Sequence, residues 1–173
     1  MKKLLTILMV LTTIALFSNR SYAQAYKNGD KLLNATIGLN SYYSRGLPLG
    51  ASLEVGITDN ISVGGAFDFT SWKYPGTDYG YTFLYFGARG SYHVGELLKI
   101  DSDKFDPYGG LGIGYYTAKY NGGSSVYSGS YGSNIYFFGY VGARYYFGEK
   151  LGAVVELGGG GVSNIKAGIT FKL

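Results

Sequence analysis

Apolar and polar positions alternate along most of this chain. Leu33, Ala35, Ile37 and Leu39 oppose Asn34, Thr36, Gly38 and Asn40. Ile165, Ala167, Ile169, Phe171 and Leu173 oppose Lys166, Gly168, Thr170 and Lys172. The same period recurs over 49–57, 61–70, 84–92, 110–116, 135–147 and 151–158. A period of two puts successive side chains on opposite faces of a strand. The pattern therefore predicts an all-β chain of eight strands, roughly nine to fourteen residues each, with one apolar face and one small or polar face.

The connections fall into two classes. Thr58-Asp59-Asn60 and Gly148-Glu149-Lys150 are tight turns; Arg45–Pro48, Trp72–Gly80, Tyr120–Ser133 and Gly159–Ser163 alternate with them. In an up-and-down barrel the two classes lie at opposite ends, with short turns on the periplasmic side and longer loops outside. Gly95–Asp106, twelve residues in the short-turn class, breaks that asymmetry.

The N-terminus reads separately. Lys2 and Lys3 precede a 14-residue apolar run, Leu4–Phe17, too short for a spanning helix of ~20 residues. Ser21 and Ala23 then place small residues before Gln24, as at a secretory cleavage site. Residues 1–23 are expected to be a signal peptide, cut between Ala23 and Gln24, and 24–173 a single domain. Cleavage removes Lys2, Lys3 and Arg20, leaving twelve basic residues against eleven acidic ones. That balance lacks the basic footprint of a nucleic-acid binder. With no Cys, disulfides, thiolate metal sites and thiol nucleophiles are excluded.

Which face looks outward decides the class. A soluble ligand-binding barrel shows the same alternation with its apolar face lining a cavity. Here the polar face is too poor in charge for a soluble exterior. Apart from Lys172 it carries Glu54, Asp68, Arg89, Arg144, Glu156 and Lys166. Aromatic residues gather near strand ends, with Tyr92, Tyr145, Phe147 and Phe171 at one end and Phe69, Trp72 and Tyr81 at the other. Two interfacial girdles would look like this. The final strand runs to the last residue, free to pair with the first. Strands of this length suit a membrane crossing of ~9–11 tilted residues, and eight is the smallest common strand number of bacterial outer-membrane barrels.

With its signal peptide, its Pro107-Tyr108-Gly109-Gly110-Leu111-Gly112-Ile113-Gly114 strand and its terminal Ala167-Gly168-Ile169-Thr170-Phe171-Lys172-Leu173, the chain resembles the small eight-stranded outer-membrane barrels, the OmpA/OmpX-like or porin-family group. The resemblance implies an eight-stranded antiparallel transmembrane barrel, embedded in outer-membrane lipid. It also implies recognition of the C-terminal strand by the barrel-assembly machinery. Those barrels usually end on Phe; this chain ends on Leu173, with Phe171 on the same face.

The six polar-face charges form the leading constellation. Each lies five to eight residues from its periplasmic end, a rise of roughly 12–19 Å, near mid-height of an apolar band ~25 Å tall. Three are anionic and three cationic, which suits a plug of paired charges inside a barrel just wide enough for side chains. His93, the only histidine, is expected to be a polar residue at the periplasmic mouth. No acid–base–nucleophile set converges in the sequence. Gly110, Gly112 and Gly114 share one strand face without the helix a nucleotide loop needs, and read as room made inside the barrel. The Asp101–Asp106 carboxylates lack the pattern of a calcium loop and read as a solvated turn. Neither a cofactor nor a metal is expected. Trp72, Tyr74 and Tyr79, with Tyr120, Tyr127 and Tyr131 in a Tyr/Ser/Gly segment, would supply rigid aromatic area on outer loops for a protein or glycan. The function expected is a non-enzymatic, largely plugged barrel with a structural or surface-interaction role. A small porin passing ions or small solutes is the alternative.

Overall fold

Eight antiparallel strands, each hydrogen-bonded to its neighbour in sequence, close on themselves. The protein is represented by a computed structural model describing residues 25–40, 46–77, 79–121, 130–158 and 161–173. The signal peptide and its Ala23–Gln24 junction lie outside those residues. The strands are β1 (Lys31–Gly38), β2 (Leu49–Gly56), β3 (Ile61–Lys73), β4 (Gly80–His93), β5 (Phe105–Asn121), β6 (Ser130–Tyr146), β7 (Leu151–Gly158) and β8 (Ile165–Lys172). Closure runs from Leu32↔Lys172 to Gly38↔Lys166.

The barrel is apolar outside and charged within. Outward-facing Leu111 and Phe137 are 75% and 81% exposed, while Glu54 and Arg144 are at 0%. Leu53, Phe67, Phe86, Ile113, Val141, Val155 and Ile169 join the exposed apolar surface. Such a continuous apolar wall is compatible with a hydrocarbon solvent, not with water. The soluble-binder arrangement is thereby excluded by its inverted faces.

Strand lengths depart from expectation. β1, β2, β7 and β8 have 8 residues each, whereas β5 and β6 have 17. The extra residues of β3–β6 stand at the long-loop end. There the outward positions turn polar, at Ser71, Thr82, Lys119 and Ser133, while the ladder continues through Trp72↔Tyr81 and Tyr81↔Tyr120. Loss of apolar character marks the end of the apolar band rather than of the strand. Trp72 and Tyr120 are consequently strand residues, and Trp72 and Tyr81 pack together on the lumen side (5.4 Å between centroids) instead of forming a girdle.

Two further features are local. The long connection at the short-turn end spans 94–104, since Phe105 and Asp106 already belong to β5. Its first half winds tightly, with Leu98 N–H donating to Val94 O (2.9 Å) and Ile100 N–H to Gly95 O (2.9 Å). Glu96 ties it to the β2–β3 turn by accepting from Asn60 Nδ2 (2.9 Å). In β5, Gly110, Gly112 and Gly114 stand directly across from Tyr140, Phe138 and Tyr136 of β6. A Cβ on Gly114 would sit 2.7 Å from the Tyr136 ring, and one on Gly112 would overlap Phe138. The glycine row seats an aromatic ladder, Tyr136–Phe138–Tyr140, whose rings are 5.4 and 6.0 Å apart.

Candidate functional site

Inward alternation on seven strands builds one buried polar network. Arg144 of β6 lies at its centre. Its Nη2 donates to Glu54 Oε1 (3.0 Å), its Nη1 to Asp106 Oδ2 (2.9 Å) and its Nε to Asn34 Oδ1 (3.3 Å). Arg89 donates twice to Glu156 (2.6 and 3.3 Å) and approaches Glu54 Oε1 at 3.3 Å. Ser62 and Ser91 donate to Glu54 Oε2 (2.8 and 2.5 Å). Tyr108 donates to Glu156 (2.8 Å), and Arg89 Nε donates to the Tyr140 hydroxyl (3.0 Å). The faces of Tyr140 and Tyr108 cover the two guanidinium carbons, each at 3.9 Å. Buried ions persist when paired and hydrogen-bonded in this way, and the aromatic faces add cation–π attraction.

Four of the six expected lumen charges, Glu54, Arg89, Arg144 and Glu156, meet here. Asp68 and Lys166 lie beside it, with Lys166 in register across from Glu156. They form a second, less buried ion pair (2.6 Å). The network is also not the neutral set expected, because Asp106 joins it. Extending the β5 alternation two residues back from Tyr108 puts Asp106 on the lumen face, opposite Arg144. The local Asp-rich context concealed that parity. Asn34, Ser62, Ser91, Tyr108 and Tyr140 follow the same rule of inward alternation.

His93 corrects the mouth-residue expectation. It is 3% exposed, with Nδ1 2.6 Å from Asp106 Oδ1 and Nε2 3.0 Å from Ser62 Oγ. A serine, a histidine and an acid thus do converge, contrary to the sequence reading. The set is not arranged for hydrolysis. Ser62 is fully buried and gives its proton to Glu54 rather than to the imidazole. Tyr26 lies flat on His93 (3.4 Å between centroids, 4° between planes) and donates to Ile61 O (2.6 Å) and Thr58 O (2.9 Å). Burial pushes the Tyr26 phenol up from its ordinary range. Lys172 fastens the same segment through Asp30 (3.0 Å) and Ala25 O. Residues 25–30 thereby make a floor at the short-turn end.

Toward the loop end the inward residues are of different chemistry. Val162, at 0% exposure, packs against Phe83, Tyr85 and Ala118, with Tyr81, Tyr116 and Tyr136 around them. Gly161 carries it inward with φ +92°, and a Cβ there would overlap the Asp68 carboxylate. Between this cap and the charge network a cavity of about 20 Å³ touches Asp68, Arg89, Tyr140, Glu156 and Lys166. That is space for about one water. Above the cap, Trp72 meets Tyr74 (4.8 Å), and Tyr120 meets Tyr79 (6.0 Å) and Tyr81 (5.3 Å). Tyr74 and Tyr79 are 44% and 46% exposed. Four of the six expected aromatic binding residues therefore share one rim; Tyr127 and the Tyr131 side chain lie outside the described residues.

No family model matches the chain, and no curated protein does. Among solved structures it is similar to the outer membrane protein OprG from Pseudomonas aeruginosa, at 16% identity and TM-score 0.57, over 88% of this chain and 99% of that one. It is similar to Neisserial surface protein A, at 17% identity and TM-score 0.53, over 83% and 95%. It matches a de novo designed transmembrane β-barrel equally well, at 17% identity and TM-score 0.53, over 85% and 98%. The common property is the fold of a small transmembrane barrel. A designed chain with that fold shows that the likeness extends to architecture and not to activity.

Proposed function

We propose that this protein is a non-enzymatic integral barrel of the bacterial outer membrane, closed to bulk solute, with a surface-interaction role at its loop end. The observation that carries the reading is the threefold obstruction of the lumen. Tyr26 forms the floor, the Arg144–Glu54–Arg89–Glu156 network fills the middle, and Val162 caps the top. The cavity between network and cap, about 20 Å³, takes a water, not a solute. Among the described residues at the loop end, Trp72, Tyr74, Tyr79 and Tyr120 form an aromatic rim, rigid area suited to a protein or glycan. Export would use the signal peptide, with cleavage after Ala23. Insertion would use recognition of the C-terminal strand, Phe171 and Leu173 included, by the barrel-assembly machinery. The buried Ser62–His93–Asp106 set supports the non-enzymatic reading, because no substrate reaches it.

Single-channel recording of the purified protein in a planar bilayer tests the closed lumen. Folding is first verified by the faster gel mobility of the unboiled barrel. The expected result is a silent bilayer. Discrete, reproducible conductance steps would overturn the closed-lumen reading in favour of a small porin.

A further inference from the structure

The 94–104 connection is pinned as a compact knob at the short-turn end. Val94 N–H donates to Pro107 O (2.9 Å), so the β4–β5 ladder continues one pair beyond His93↔Tyr108. His93 faces the lumen, and strand alternation turns Val94 to the outer wall. Leu98 N–H donates to Val94 O, which closes one helical turn and brings residues four apart onto one side. The turn ends on a left-handed residue, Lys99 at φ +55°. Lys99 N–H donates to Glu96 O (3.0 Å) and Ile100 N–H to Gly95 O (2.9 Å), the paired bonds that terminate a helix. Ile100 is thereby sent back beneath the barrel, where it lines a cavity of about 10 Å³ with Tyr26 and Phe105. Asn60 holds Glu96 from the β2–β3 turn. Leu97 and Leu98 are left on the outside, 63% and 59% exposed. Asp101, Asp103 and Lys104, also exposed, follow them.

We propose that Leu97 and Leu98 form an interfacial anchor that docks onto the lipid leaflet at the short-turn end. Three observations select lipid as the occupant. The pair is continuous with the apolar wall: it is bracketed by the outward residues Val94 and Phe105, and Tyr145 and Phe147 are exposed at the same end. The height fits, since one helical turn is about 5.4 Å and the headgroup layer beside a ~30 Å hydrocarbon core is ~5–8 Å deep. Leu98, one turn from the end of the ladder, stays within that layer. The area does not suit a protein partner, because two leucine side chains fall far below the ~800 Å² that one side of a stable protein interface buries. Amphipathic surface elements dock in this way, with apolar side chains in the headgroup boundary and charge toward water. The connection divides accordingly, with its leucines first and its exposed carboxylates after them. That division accounts for a connection much longer than the other turns at this end.

The chain has no Cys, so single-cysteine nitroxide labels test the anchor without background. Leu97→Cys, Leu98→Cys, Asp103→Cys and Phe137→Cys are labelled and folded into nanodiscs of phosphatidylethanolamine and phosphatidylglycerol, open to reagents on both faces. Each label's collision rate with oxygen, which concentrates in lipid, is divided by its rate with a water-soluble nickel chelate. Phe137, on the exposed wall, should give the highest ratio and Asp103 the lowest. The Leu97 and Leu98 labels should lie between them, severalfold above Asp103. Ratios equal to that of Asp103 would overturn the anchor and leave the leucines to a protein partner. Docking presupposes a wall in lipid. A water-like ratio at Phe137 would overturn the transmembrane reading itself, a failure distinct from a water-like ratio at the leucines alone. Because a nitroxide is apolar, Leu97→Asn is also combined with the Leu98→Cys label. Burying a leucine favours the docked state by about tenfold or more, so the docked population should drop by that factor and the ratio should fall to near that of Asp103. A ratio unchanged by Leu97→Asn would overturn the anchor.

Discussion

The two halves of the lumen are lined by the same inward positions of the same strands, yet they are filled by opposite means. Toward the short turns, β4, β5 and β6 contribute Arg89, Ser91, His93, Asp106, Tyr108 and Arg144, every one engaged in a directed polar contact. Toward the loops the same strands contribute Phe83, Tyr85, Tyr116, Ala118, Tyr136 and Phe138, which meet through ring and methyl surfaces. The first half is specified by geometry, since each member has named partners at fixed distances. The second is specified by volume, and Val162 fills it from a neighbouring loop. Removing a member should hurt the first half more than the second, because a stranded ion cannot be reabsorbed by repacking.

Arg144→Ala breaks this contrast most severely. It removes one guanidinium shared by Glu54 and Asp106, leaving the buried set with a single guanidinium, Arg89, against three carboxylates, and should cost ~3–5 kcal/mol of urea-unfolding stability, the penalty for undercompensated buried charge. Unchanged stability would remove the claim that the network specifies the lower half. On the opposite side, Gly161→Ala forces a side chain onto a backbone at φ +92° and against Asp68. A loss of about 1–3 kcal/mol is expected from backbone strain. Expulsion of Val162 should accompany it, visible as faster proteolysis of the β7–β8 loop. Tyr26→Phe sharpens the comparison at the floor. The ring stack survives and only the bond shared between Ile61 O and Thr58 O is lost, so thermal unfolding should shift by the equivalent of about 0.5–1.5 kcal/mol.

Period-two alternation made the eight strands, their inward and outward faces and most of the lumen charges legible without a structure. It failed where alternation carries no end signal. At Ser71, Thr82 and Lys119 the outward residues become polar although pairing continues, so the pattern alone assigns Trp72 and Tyr120 to loops. At Asp106 the strand begins within a run of carboxylates, and its parity was lost among them. His93 has the parity of Arg89 and Ser91, but a strand-end position carries no sign of burial; the floor that covers it comes from residues 25–30, which have no periodic signal. The inward turn of Val162 depends on one glycine conformation and one cross-lumen cluster. Neither is encoded in local pattern.

The dispersal of the network over the strands has an energetic consequence. Asn34, Glu54, Ser62, Arg89, Asp106, Arg144 and Glu156 come one each from β1 to β7, and Leu32 finds Lys172 across 140 positions of chain. No hairpin alone can satisfy these groups. A half-built sheet therefore carries bare guanidinium and carboxylate groups on one side, and that side must stay in water until the seam shuts. Burying that side before closure costs the desolvation of each unmatched ion, so the seam contributes to the stability of every strand it joins and not of β1 and β8 alone.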